Sequence, residues 1–189
     1  MKFTDEEILA QFKDASTKEK AFRNLLSNYQ ERLYYHVRRY VHNHEDANDI
    51  LQNTCIKIWN AIDNFRGDSS LYTWLYRIAG NEAITFINKN KKRNEVDIEQ
   101  TSAQYRSASD SLEANELTQK LEHAIATLPD KQKQVFIMRY YDEMPYEKMA
   151  EISETSVGAL KASYHHAVKK NRGNINRLIK LQQKIIVKQ

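Results

Sequence analysis

Flat rings, an amide and a run of cations share one short stretch of this chain, from Phe65 to Arg93. Phe65, Tyr72, Trp74 and Tyr76 offer faces on which unpaired bases can stack, and Asn81 offers two donors and an acceptor to a base edge. Lys89, Lys91, Lys92 and Arg93 can neutralise phosphates. Stacking faces beside phosphate-seeking cations are the chemistry of single-stranded nucleic acid binding. Any one of these rings could equally serve as core, so the expectation rests on the constellation. A second set follows near the C-terminus, where Ser156 precedes Lys161, His165, His166, Lys169 and Lys170.

Helices must position both sets. Only four Gly and two Pro occur in 189 residues, while Leu, Ile, Ala, Lys, Glu, Gln and Asn abound, which predicts an all-α fold of long helices with few tight turns. Phe22, Leu25, Leu26, Tyr29, Leu33, Val37, Tyr40 and Val41 recur at steps of three and four, predicting a helix over about 20–41 with a shorter N-terminal helix beside it. A second begins near Asn43 or His44, with Ala47, Ile50, Leu51, Thr54, Ile58, Ala61 and Ile62 as its inward stripe and Asp46, Asp49, Gln52, Asn53 and Lys57 on the other face. Ser69 or Ser70 can cap a third, whose Leu71, Trp74, Leu75 and Ile78 face inward as scaffold. That leaves the loop at Phe65, Tyr76, Asn81 and the following cations as readers. From Asn94 to Asn115 the sequence is polar without sustained apolar period and reads as a linker. Helical pattern resumes at Leu117, stops at Pro129, and ends in two helices separated by Ser153, Glu154 and Thr155, a helix-turn-helix. The expected architecture is therefore two small helical domains, 1–93 and 116–189, joined by a flexible acidic linker over 94–115.

Charge supports that division. Lys plus Arg outnumber Asp plus Glu by only 29 to 25, yet residues 156–189 hold eight basic and no acidic side chains, while 94–116 hold six acidic ones against Arg106. In the second helix of the motif Val157, Leu160, Tyr164 and Ala167 fall on one side and the Lys and His donors around the other, as a helix entering the major groove requires. The amphipathic, basic tail with Ile175, Leu178, Ile179, Leu181, Ile185 and Ile186 has the character of a membrane-surface or partner helix, and is expected rather to extend this helix or pack on its own domain. Cys55 is the one cysteine and falls in an apolar pattern, so neither a disulfide nor a structural zinc site is expected. No glycine-rich phosphate loop or nucleophile elbow is present, and the reading is a protein without catalytic activity or cofactor. With no signal-peptide core and no apolar run of spanning length, the expectation is a cytoplasmic protein without membrane insertion.

EDANDILQNTCIKIWNAIDNF followed by RGDSSLYTWLYRIAGNEAITFINKNKKR closely resembles region 2 of the bacterial sigma-70 family, in particular its extracytoplasmic-function (ECF) group. LPDKQKQVFIMRYYDEMPYEKMAEISETSVGALKASYHHAVKK resembles that group's region 4. The resemblance implies a non-catalytic initiation factor that binds core RNA polymerase, recognises −10 and −35 promoter elements, and promotes melting. It implies that Asp46, Asp49, Gln52 and Asn53 dock on the clamp helices of the polymerase β′ subunit, and that region 4 meets the β flap. The −10 readers would be Phe65, Arg66, Tyr76, Asn81, Lys89, Lys91, Lys92 and Arg93, holding an extruded base of the non-template strand. The −35 duplex would be met by Ser156, Lys161, His165, His166, Lys169 and Lys170. An anti-sigma factor is a further implied partner.

The recognition helix departs from its relatives. Ala162, Ser163, His166 and Val168 stand where Ser or Arg is frequent, and His cannot copy the bidentate contact of Arg to guanine, so the −35 sequence does not carry over. The alternative reading of the residues is a dimeric helix-turn-helix transcriptional regulator whose first domain binds a ligand or a second subunit. Such a regulator would bind its duplex alone with a palindromic footprint, whereas a sigma factor selects one strand in company with the polymerase.

Overall fold

The computed structural model describes residues 3–41, 43–96, 121 and 123–170, with side chains of the second stretch described to residue 90. The described elements are helical, as composition predicts, and no strand occurs among the described residues. Two compact units divide near Lys91, and each is taken by itself.

In the first unit α1 spans Asp5–Phe12, α2 Lys18–Arg38, α3 His44–Ala61 and α4 Leu71–Val96. Each boundary has a chemical cause. The Thr4 hydroxyl accepts from the Glu7 amide at 3.1 Å while the Glu7 carboxylate accepts from the Thr4 amide at 2.8 Å, a reciprocal cap on α1. Asn43 caps α3 by accepting from the Asp46 amide at 2.6 Å, and Ser70 caps α4 by accepting from the Thr73 amide at 3.2 Å. Of the two serines proposed for that cap, Ser70 takes the role.

The predicted stripes are the core. Leu25, Tyr29, Leu33 and Val37 of α2 and Ala47, Ile50, Leu51, Thr54 and Ile58 of α3 are buried, and each large aliphatic side chain among them contributes roughly 1.5–3 kcal/mol. Ile8 and Phe12 close this core from α1, which polar contacts then pin to α2. The Tyr29 hydroxyl donates to Asp5 Oδ1 at 2.5 Å, Asn24 Nδ2 to Gln11 Oε1 at 3.0 Å, and Asn28 Nδ2 to the Phe3 carbonyl at 2.7 Å. Cys55 lies only half-buried beside this core, and burial pushes its thiol up from the ordinary range. A 3₁₀ turn, Ile62–Asn64, ends α3. α4 runs on to Val96, three residues into the segment expected as linker, and the rest of that segment lies outside the described residues.

The second unit, from which Ala150–Glu154 are left out, holds α5, helical over 123–126, α6 at Asp130–Phe136, the first turn of α7 at Tyr146–Ser153, and α8 at Val157–Lys170. Pro129 stands at the N-cap of α6, where its missing amide is no loss. α6 continues as a π-helix, Ile137–Tyr141, which sequence periodicity does not foresee. Its wide turn brings both Tyr140 and Tyr141 to the Phe136 ring, at centroid distances of 5.1 and 6.4 Å. Leu121, Ile125, Leu128, Phe136 and Ala167 form the buried centre, with Tyr164 and Val168 packed against it.

Burial raises the Tyr29 hydroxyl above its ordinary value, and the hydrogen bond to Asp5 and that carboxylate's charge raise it further. Because the folded chain holds this proton more tightly, its stabilisation is complete below the unfolded value of about pH 10 and is lost as pH rises beyond it. Tyr29→Phe is expected to cost about 1 kcal/mol at neutral pH and to flatten the fall of Tm above pH 10. Thermal melts from pH 7 to 11 check this, and an alkaline decline identical to that of the unaltered chain contradicts it.

Candidate nucleic-acid interface

The loop between α3 and α4 begins where the Phe65 amide donates to the Ile62 carbonyl at 3.0 Å and turns at Gly67, whose φ of +79° is open to glycine and strained for other residues. Arg66, Gly67 and Asp68 are exposed. The Phe65 ring is half-buried and leans on Trp74, centroids 5.4 Å apart at 56°. One ring supports the other, leaving part of Phe65 at the surface of the loop.

α4 is gripped from two sides. Leu71, Thr73, Leu75, Tyr76, Ala79 and Ala83 are buried along it. Tyr76 lies 3.7 Å from the His36 ring of α2 and 4.9 Å from Tyr72, which in turn lies 6.5 Å from Tyr29. At 4% exposure the Tyr76 ring is not offered to a base in this structure, so its expected role as reader gives way to that of scaffold. The inward face of α4 is wider than a two-helix contact needs, because α4 also meets α3 through an ion pair between Lys57 and Glu82.

Outward, Asn81, Thr85 and Lys89 are exposed at successive turns and form one polar stripe. Thr85 is an addition to the residues read from sequence. Its hydroxyl donates to the Asn81 carbonyl at 2.8 Å, and its i+4 spacing from Asn81 is the signal that could have found it. Lys91, Lys92 and Arg93 follow on α4, and their side chains lie outside the described set.

On α3, Asp49, Gln52 and Asn53 are exposed as expected. Asp46 is half-buried and engaged in the cap, its carboxylate accepting from Asn43 Nδ2 at 3.0 Å. Between these polar residues stands Ile56, 53% exposed. At 100° per residue it sits opposite the buried stripe, an apolar side chain at the centre of a polar face.

The helix-turn-helix is built as the sequence suggests. Glu154 adopts φ +50° in the turn, and the Ser156 hydroxyl accepts from the Ala159 amide at 3.3 Å to cap α8. Leu160 and Ala167 are buried and Tyr164 lies 5.9 Å from Phe136, while Lys161, His165, His166 and Lys169 are exposed. Lys161 Nζ lies 5.6 Å and Arg139 Cζ 5.2 Å from the Tyr146 ring centroid. Lys170 donates to the Thr127 carbonyl at 3.1 Å, so part of its hydrogen-bonding capacity serves the fold. Val168 packs against the buried centre of this unit. The amphipathic tail read from sequence lies outside the described residues.

An outward stripe of amide, hydroxyl and cation on the helix that follows an aromatic loop, and elsewhere a capped basic helix of a helix-turn-helix, are the features of a DNA-binding protein. Residues 25–93 match the family model for Sigma-70 region 2, and residues 118–170 match that for Sigma-70, region 4. The ECF RNA polymerase sigma-E factor of Escherichia coli (strain K12) is 31% identical, the match covering 79% of this chain and 83% of that one. The RNA polymerase sigma-H factor of Pseudomonas aeruginosa is 28% identical over 78% of this chain and 82% of its own. The fold is similar to that of CnrH, solved with the cytosolic domain of CnrY, at a TM-score of 0.64 and 21% identity over 92% of this chain and 97% of that one. It is similar also to the sigma factor RpoE of Bartonella quintana, solved with the anti-sigma factor NepR, at 0.61 and 22% over 83% and 98%. The chain belongs to the sigma-70 family and is an ECF-type RNA polymerase sigma factor. The reading as a dimeric regulator is not favoured, because its first domain would have to be something other than region 2.

Phe65→Ala removes the ring that leans on Trp74. In a Trp59→Phe background, where Trp74 is the sole tryptophan, its emission is expected to shift to the red; an unchanged spectrum contradicts the packed loop.

Proposed function

We propose that the first unit docks on the clamp helices of the polymerase β′ subunit through the outward face of α3, and captures an extruded base of the non-template −10 strand between the Phe65 loop and Asn81. Asp49, Gln52 and Asn53 supply the polar rim of the docking face and Ile56 its desolvated centre, the arrangement of an interface anchor. Arg66, Lys89 and the cations Lys91, Lys92 and Arg93 hold phosphates beside the opened strands. Melting then needs no nucleotide hydrolysis, since binding shifts the duplex-to-open equilibrium by its preference for the open strand. The second unit reads the −35 duplex with α8, through Lys161, His165, His166 and Lys169, and meets the β flap. Domain limits of 1–93 and 116–189 with a tether between them suit this division.

One observation carries the reading: the exposed Asn81 stripe stands on a helix whose other side buries Leu75, Tyr76, Ala79 and Ala83. Two solved neighbours are complexes, one with an anti-sigma factor, which supports control of this chain by such a partner. Sigma factors are non-enzymatic, and this one acts without cofactor. No described helix is long and apolar enough to cross a membrane. Its working place is the cytoplasm, where the polymerase is.

In vitro transcription with core polymerase on a genomic fragment library is expected to yield start sites sharing two elements upstream. Loss of one good base-edge contact in Asn81→Ala should reduce discrimination at a single −10 position by about 5- to 100-fold and leave core binding intact; an equal loss on all promoters counts against the pocket. Ile56→Asp should weaken competition for core by about 10-fold or more, the effect of truncating a central anchor, and full competition by that variant removes the docking face.

A further inference from the structure

Glu82 is 7% exposed and follows the base reader Asn81 directly in sequence. Its carboxylate oxygen Oε2 is in ion contact with Nζ of Lys57 on α3, whose side chain is 53% exposed. As an element of stability this is a poor arrangement. Burying a carboxylate against one half-solvated lysine costs desolvation that the pair barely recovers, and an apolar residue of similar volume would serve the fold as well. Its geometry is more informative. Lys57 follows Ile56, the centre of the α3 docking face, and Glu82 follows Asn81, so the pair ties together the turns that carry the two functional faces.

We propose that Lys57 and Glu82 are positioning residues, which set the rotation of α4 about its own axis and thereby the aim of Asn81 at the extruded base. On the N-terminal side of Asn81 this rotation is held by the Tyr76 ring against His36. On its C-terminal side Ala83 is the last fully buried residue described on α4, and it is small and apolar; Ile84, Phe86 and Ile87 beyond it are only half-buried, while Thr85 and Lys89 face outward. A roll of about 20° at a side-chain radius of ~5 Å displaces the amide by ~2 Å. Polar recognition tolerates about 0.5 Å, so a charge pair that forbids the roll controls selectivity without touching the strand. Because α3 is also the docking helix, the polymerase-bound face and the base reader are held in one register.

The inference rests on the proposed reading of a base by Asn81, and the test separates the two. Full-length Glu82→Gln, Lys57→Met and the exchanged pair Lys57→Glu/Glu82→Lys are assembled with core polymerase. Their affinities are measured for −10 single strands that are matched or substituted at the Asn81-dependent base, alongside competition for core and thermal melting. The single variants are expected to lose about 10-fold in discrimination at that one base, with core competition and Tm close to those of the unaltered chain, and the exchanged pair is expected to recover it. Full discrimination by Glu82→Gln, while Asn81→Ala loses it, overturns the proposal and leaves the base reading standing. Uniform weakening on every strand with a lowered Tm, not recovered by the exchange, makes the pair merely structural and overturns it too. If Asn81→Ala itself discriminates as the unaltered chain does, the base reading falls and the proposal with it.

Discussion

The grip on α4 is the constraint from which the first unit follows. A 26-residue helix has no reason to keep one face outward unless something holds the other, and here the Tyr76 ring against His36 and the burial of Leu71, Leu75, Ala79 and Ala83 do so. Gly80 is buried as well, and its neighbours Ala79 and Ala83 are small, so the packing elements can approach closely where the reader stands. With that side committed, Asn81, Thr85 and Lys89 have one direction left to face. The loop before α4 obeys the same constraint, because Ser70 fixes where the helix starts and Trp74 gives Phe65 a surface to lean on.

Charge does its work locally rather than globally. A formal surplus of four positive charges steers little, but the exposed side of α8 carries Lys161, His165, His166 and Lys169 without an acidic neighbour on the helix. Histidines in place of arginines give that helix donors of shorter reach and no planar fork, so its base preferences are its own. α3 presents the opposite character, with Asp49 beside amides around an exposed isoleucine. The first unit therefore offers a face suited to protein on α3 and a face suited to nucleic acid on α4, while the second carries its basic face on α8.

Much of this was legible from residue order. Apolar steps of three and four marked α2, α3 and α8, and most of their buried apolar residues are those the period names, although Ala21, Asn24 and His36 of α2 are buried outside it while Phe22 and Leu26 are half-buried. Caps at Asn43, Ser70 and Ser156 were readable because their side chains satisfy amides three residues on. What escaped needed tertiary information. Tyr76 looks amphipathic in sequence and becomes core only because His36 arrives from another helix. Ile56 is absent from the apolar stripe because its phase opposes it, and its exposure marks it out. The π-helix after Phe136 has no sequence period of its own and exists to seat two adjacent tyrosines.

In the proposed function this sigma factor holds one unpaired base of the non-template strand between the Phe65 loop and Asn81. A fork-junction promoter carrying 2-aminopurine at successive −10 positions tests it most directly, because that base fluoresces strongly only when unstacked. The account predicts that holoenzyme, but not core polymerase alone, raises fluorescence at one position well above its neighbours. Binding of the promoter with every position remaining quenched, or with all positions rising together, would contradict it.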